Sequence, residues 1–152
     1  GVGASVVNAL SEWLEVEVRT GGHVYKQRYE RGKTMYPLKI VGSCGAEEHG
    51  TRVTFLPDKA IFDATVEDFA KLKIRLRETA FLTKGLKITL RDGREEKKEK
   101  TFHYEGGIRE FVEYLNRSNV PLYEQVFYCE GQRDGVLVEV AMQHNDSYTE
   151  NI

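Results

Sequence analysis

The chain has 152 residues, 40% of them hydrophobic, which is enough to bury a core in one medium domain or two small pieces. Its 22 basic and 24 acidic residues leave a formal charge of −2, so nothing in the overall balance draws it to nucleic acid or a membrane surface. Cys44 and Cys129 are too few and too far apart for a disulfide framework or a structural zinc site; with no signal peptide and no apolar run near the ~18 residues of a membrane helix, the composition reads as a soluble intracellular protein.

The chain starts GVGASVVNAL, without an initiator Met, inside what reads as a motif and therefore as a fragment. Residues 4–11 place Val6, Val7 and Leu10 on one side of a short helix that ends near Ser11. In the next run Leu14, Val16 and Val18 alternate with Glu15, Glu17 and Arg19, turn at Gly21 and Gly22, and continue as a second alternating run from Val24 to Glu30, which predicts a hairpin. PLKIVGS (37–43) and GTRVTFLPD (50–58) read as further strands. Thr65 as N-cap with Asp68 three residues on predicts a helix over 66–82, its apolar side formed by Phe69, Leu72, Leu76 and Thr79/Ala80 and its outer side by Lys71, Arg75 and Glu78. LKITLRDG (86–93) is another strand, and the mixed charges of 94–100 form a solvated hairpin tip. Ile108, Phe111, Val112 and Leu115 stand at i, i+3, i+4 and i+7 and predict a helix over 107–116. EQVFYCEG and GVLVEVAMQ are two strands separated by the turn GQRDG, and the run ending NDSYTENI has no capping element, so this end also reads as cut.

These elements predict an α+β fold. A mainly antiparallel sheet of residues 13–19, 23–30, 37–43, 50–57 and 86–92 is expected, covered on one face by helices 4–11 and 66–82, with Phe69, Leu72 and Leu76 buried and a boundary near 100–106. His23, His49, His103 and His144 are scattered without metal-ligand spacing, so no metal site is expected. Trp13, Tyr104, Phe111, Tyr114 and Phe127 read as core rather than as a base-stacking platform. Any nucleic-acid contact from Lys84, Lys87 and Arg91 would be weak and to backbone phosphates.

Five stretches, GVGASVVNALS, HGTRVTFLPD, RLRETAFLTKGLKITLRD, FHYEGGIREFVEYLN and VEVAMQHNDSYTENI, span nearly the whole chain in order, and together they resemble the B subunits of bacterial DNA gyrase and of its sister, topoisomerase IV. The resemblance implies the later part of a GHKL-type ATPase sandwich over 1–103, followed over 104–152 by the start of a transducer domain. It implies that backbone amides of Gly1, Val2 and Gly3 belong to a lid around ATP phosphates, where glycine lets the backbone approach an oxyanion and a helix N-terminus supplies unpaired N–H groups. Thr51 would help read the adenine edge, and Ala4 and Val53 would line the adenine pocket. Thr20 stands where relatives often carry an Arg near the mouth of the inhibitor pocket. In the parent enzyme the resemblance implies ATP and Mg²⁺ as cofactors, the gyrase A subunit and double-stranded DNA as partners, a homodimer of gyrase B on ATP binding, negative supercoiling as the activity and a cytoplasmic location. The magnesium-binding Asn, the general-base Glu and the transducer Lys of the family fall outside the matched stretches, so this chain alone is expected not to hydrolyse ATP. A non-catalytic module acting by dimer contact or inhibitor binding is the alternative from another class. A free-standing nucleic-acid-binding domain fits the acidic balance poorly.

Overall fold

Apolar and charged residues alternate strictly along 14–19, and that alternation organises the first part of the molecule. The computed structural model describes residues 1–94 and 98–148, and the chain divides into two compact units, Gly1–Val66 and Glu67–Ile152. The first begins with helix α1 (Gly3–Ala9), followed by strands β1 (Ser11–Thr20), β2 (His23–Glu30), β3 (Lys33–Thr34), β4 (Lys39–Ser43) and β5 (Gly50–Pro57). They form one antiparallel sheet in which β2 lies between β1 and both β3 and β4, and β5 pairs with the other edge of β1.

Gly21 and Gly22, with φ of +56° and +79°, make the two-residue turn of the β1–β2 hairpin, a left-handed conformation whose twist matches that of the strands it joins. The register then sorts side chains by face. Val18 lies opposite Tyr25 and Thr51, Val16 opposite Gln27 and Val53, and Leu14 opposite Tyr29 and Phe55, so these share one face. Glu15, Glu17, Lys26, Arg28 and Arg52 share the other. There, Lys26 lies 2.8 Å from Glu15, and Arg19 lies 3.0 Å from Glu17 and 3.3 Å from Glu48.

At the far end of this sheet Asp58 is buried; it accepts from Arg31 Nε at 2.7 Å and from the Ala60 amide at 2.9 Å, while its own N–H donates to the Leu10 carbonyl. The Arg31 hydrogen bond, then that of Ala60, holds the Asp58 carboxyl below its ordinary value. This clip ties the β2–β3 turn to the exit of β5.

The second unit comprises α2 (Phe69–Leu82), β6 (Lys87–Asp92), β7 (Lys98–His103), α3 (Ile108–Asn116), β8 (Phe127–Arg133) and β9 (Val136–Met142). β6 pairs with β7, and β8 with β9, in two separate antiparallel hairpins. α2 packs on β6, β7 and α3, and α3 packs on β9. At the centre lies Phe81, 2% exposed, with Tyr104 stacked 3.6 Å away and Phe111 and Tyr114 at 5.0 and 5.3 Å between ring centroids. Gly107 precedes α3 with φ +59°, and a Cβ there would lie 3.4 Å from Lys84 Cβ, so both conformation and space call for glycine.

Several expectations need correction. The strand 86–92 does not join the first sheet; it pairs with β7, because Ile88 and Leu90 pack inward under α2 while Lys87, Thr89 and Arg91 stay exposed. Helix 66–82 starts at Phe69, since Asp68 rather than Thr65 is the cap: its carboxylate accepts from the Ala70 and Lys71 amides at 2.8 and 3.3 Å. The helical phase is as expected, with Lys71 and Arg75 exposed, yet Phe69, Leu72 and Leu76 are only half-buried, and full burial falls at Ala80 and Phe81. α1 does not bury its valines either; Val6 and Val7 are 48% and 38% exposed, and Leu10 is half-buried. The charged tip expected over 94–100 is strand from Lys98 onward, and its residues 95–97 lie outside the described residues, as do 149–152 of the C-terminal run.

Candidate functional site

The residues singled out for nucleotide contact sit on two elements of the first unit. Gly1, Val2, Gly3 and Ala4 form the entry to α1. Val2 occupies the cap position in helical geometry, no side chain caps the helix, and the Val2 carbonyl accepts from the Val6 amide at 3.0 Å. The amides of the first helical residues are thus left without an intrahelical or side-chain partner. All four residues are exposed, and a Cβ added at Gly1 or Gly3 would meet nothing within 4 Å, so the backbone there is open to approach.

Thr51 and Val53 are on β5, two residues apart and therefore on one face, shared with Val16 and Val18 of β1. Val53 is 53% exposed, and the Thr51 hydroxyl is engaged by no group among the described residues. One hydroxyl beside β-branched apolar side chains is the chemistry a flat heteroaromatic ring with a polar edge requires. A cleft of about 220 Å³ at this end of the sheet is lined by Glu17, Arg19, Gly50, Thr51 and Arg52. It joins Thr51 to the charged face, and none of Gly1, Val2, Gly3, Ala4 or Val53 lines it. Thr20 flanks the hairpin turn opposite His23 on the Thr51 side of the sheet, whereas Arg19 belongs to the opposite face, where Glu17 and Glu48 hold it.

Sequence reasoning passed over Asn8. Its Oδ1 is buried with no hydrogen-bond donor, in a helix whose neighbour Ala9 abuts Gly32 at the β2–β3 turn. Among the described residues no group of three or more His, Cys, Asp or Glu is arranged to hold a metal ion, and no helix is long and apolar enough to cross a membrane.

Over all of its length the chain is 53% identical to the DNA gyrase B protein of Clostridium acetobutylicum, of which it spans 24%, and 51% identical to that of Bacillus cereus, of which it spans 37%. It is equally, 53%, identical to the DNA topoisomerase 4 B protein of Enterococcus faecalis, spanning 22% of it. The fold agrees: 98% of the chain superposes on the 43K ATPase domain of Thermus thermophilus gyrase B, solved in complex with an aminocoumarin, with a TM-score of 0.87 and 43% identity.

The chain belongs to the gyrase B and topoisomerase IV B family.

It spans between about a fifth and two fifths of the relatives it matches. No protein-family model matches it. GVGASVVNALS enters α1 uncapped, and YEGGIREFVEYLN supplies Gly107 and the aromatic side of α3.

Proposed function

We propose that this chain is part of the ATP-operated clamp of a bacterial DNA gyrase, whose parent enzyme negatively supercoils DNA at the expense of ATP hydrolysis. The observation that carries the reading is the superposition of nearly the whole chain on a gyrase B ATPase domain at 43% identity. In this reading residues 1–103 are part of the ATPase domain and 104–152 begin the transducer. The gyrase A subunit and double-stranded DNA are partners, gyrase B dimerises on binding ATP, and the enzyme works in the cytoplasm.

The residues present fit pieces of ATP. The uncapped amides at Gly3 and Ala4, with the open backbone of Gly1 and Val2, suit phosphate oxygens. The unengaged Thr51 hydroxyl and the exposed face of Val53 suit the polar edge and the ring of adenine. When bound, ATP with Mg²⁺ supplies a cleavable phosphoanhydride whose hydrolysis drives the clamp. This chain's part is to orient the nucleotide, because none of the residues matched to the family's motifs is a general base or a magnesium ligand. The 152 residues alone are accordingly proposed to be inactive as an ATPase.

Topoisomerase IV B is the second reading, favoured by an identity as high as that to gyrase B. One experiment separates the readings. The chain replaces the matching segment of the Clostridium acetobutylicum relative, and activity is assayed with the cognate gyrase A. ATP-dependent supercoiling, lost on Thr51→Ala, is the expected result. Decatenation without supercoiling selects the second reading, and a folded chimera with neither activity defeats both.

A further inference from the structure

The two-residue turn between β2 and β3 is made by Arg31 and Gly32, both with left-handed backbone, φ +46° and +78°. Glycine or asparagine meets the first of these positions with less crowding than arginine does. The strained arginine spends its side chain on one contact: Nε donates at 2.7 Å to the carboxylate of Asp58, which is almost wholly buried while Arg31 itself is largely exposed. Arg31 is the one cation paired with that carboxylate among the described residues, and a buried carboxylate that loses its cation has to move, rehydrate or take up a proton.

Asp58 stands where three elements meet. It directly follows β5, the strand that carries Thr51 and Val53. Its amide donates at 3.0 Å to the carbonyl of Leu10, the residue that ends α1. Its carboxylate holds the β2–β3 turn, which lies against the same helix end, since a Cβ at Gly32 would be 3.5 Å from the Ala9 Cα. Apolar burial does little to fix α1: none of its residues is fully buried, and Val6 and Val7 stay open to solvent. Its direction therefore follows from the polar ties at its C-terminal end, where the Ser11 hydroxyl also donates to the Val7 carbonyl at 2.6 Å. The helix has seven residues and is about 10 Å long, so a tilt at that end displaces Ala4 near the other.

We infer that Arg31 and Asp58 are positioning residues for the nucleotide: by pinning the end of α1 to the exit of β5, they set the placement of Ala4 relative to Thr51 and Val53, and with it the fit of the adenine. The inference rests on the ATP reading above, which puts those three residues at the adenine. Neither Arg31 nor Asp58 touches the nucleotide in this role, so the pair acts on binding and leaves the chemical step alone.

The test measures steady-state ATP hydrolysis by the chimera described above. Arg31→Gly removes the guanidinium and suits the left-handed turn, so an effect is not the result of a poorer turn. It is expected to raise KM for ATP about three- to tenfold, the factor that corresponds to one lost hydrogen bond, with kcat kept within about twofold. Arg31→Lys, which keeps the charge, is expected to recover most of that affinity. An unchanged KM in Arg31→Gly overturns the inference, and so does a lower kcat at unchanged KM, which is what a smaller folded fraction gives. Amide exchange on the 152-residue chain reads the same tie without nucleotide. Arg31→Gly should speed exchange at Leu10 and Asp58 more than at Val16 and Val18 within the ladder, and an equal change or none overturns the tie. A wild-type chimera without ATPase activity defeats the functional reading and the adenine role with it, while exchange at Leu10 and Asp58 still decides whether Arg31 holds α1 to β5, so the two failures are distinguishable.

Discussion

The two units hold themselves together by different means. In Gly1–Val66 the one hydrophobic side chain that is fully buried, among the described residues, is Leu14. Order there comes from a five-stranded ladder, a face laced with ion pairs and the Asp58–Arg31 clip. In Glu67–Ile152 the backbone ladders are only two strands wide, and order comes from Ala80, Phe81 and Phe102, all nearly inaccessible, with rings gathered around Phe81. Surface ion pairs contribute little each and are screened by salt, whereas a buried aromatic contributes several kcal/mol by area alone. The comparison shows that a sheet can be well specified by register while its apolar face, with Val53 and Phe55 about half exposed, stays open for binding.

The sharpest way to break this contrast is Phe81→Ala. Removing a ring in contact with three others should cost roughly 3–5 kcal/mol, read by urea denaturation. Amide exchange should show lost protection over 67–148 and little change over 1–66. Equal loss in both would mean that one cooperative core, not two kinds of order, holds the chain. Leu76→Ala should cost about 1–2 kcal/mol, less than for a fully buried leucine because Leu76 is half-buried. A cost near that of Phe81→Ala would show that α2 is covered more completely than its exposure indicates. Asp68→Ala, which removes the acceptor for the Ala70 and Lys71 amides, should cost about 1 kcal/mol and fray the start of α2; unchanged exchange at those two amides would count against the cap.

The smallest effect is one of shape. The Asp58 carboxyl is lowered, first by Arg31, and the Asp92 carboxyl is lowered to about 2, first by Arg94. A carboxyl lowered in the folded state stabilises it above the unfolded value and loses that contribution as pH falls through the folded value. Both contributions should therefore be complete above about pH 5 and fade below about pH 4, for Asp92 down to about pH 2. Thermal midpoints measured from neutral to acid pH should fall less steeply in Asp58→Asn and Asp92→Asn than in wild type. Since Asp58 belongs to the first unit and Asp92 to the second, the two variants report acid sensitivity in each separately.

Much of the candidate site was legible in the sequence as parts. Gly1, Val2, Gly3 and Ala4 enter a helix, and Thr51 and Val53 lie on one strand face, as the glycines and the alternation of β5 indicate. Resemblance supplied their roles, since a threonine opening a strand is ordinary β-propensity. The unpartnered Asn8 oxygen was not legible, because it depends on the absence of a partner in space.

Local periodicity by itself determined the elements: period-two alternation set β1 and β2, the i, i+3, i+4, i+7 pattern set α3, and adjacent glycines set the first turn. These patterns are written in neighbouring residues, whose geometry follows from backbone sterics. Tertiary structure alone decided which elements share a core. Strand 86–92 alternates much as β1 does, yet it pairs with β7, and α2 buries Ala80 and Phe81 more deeply than its Leu72 and Leu76 stripe. An apolar face states that it will be covered; which surface covers it depends on shape and packing contributed by distant parts of the chain, and no local pattern encodes those.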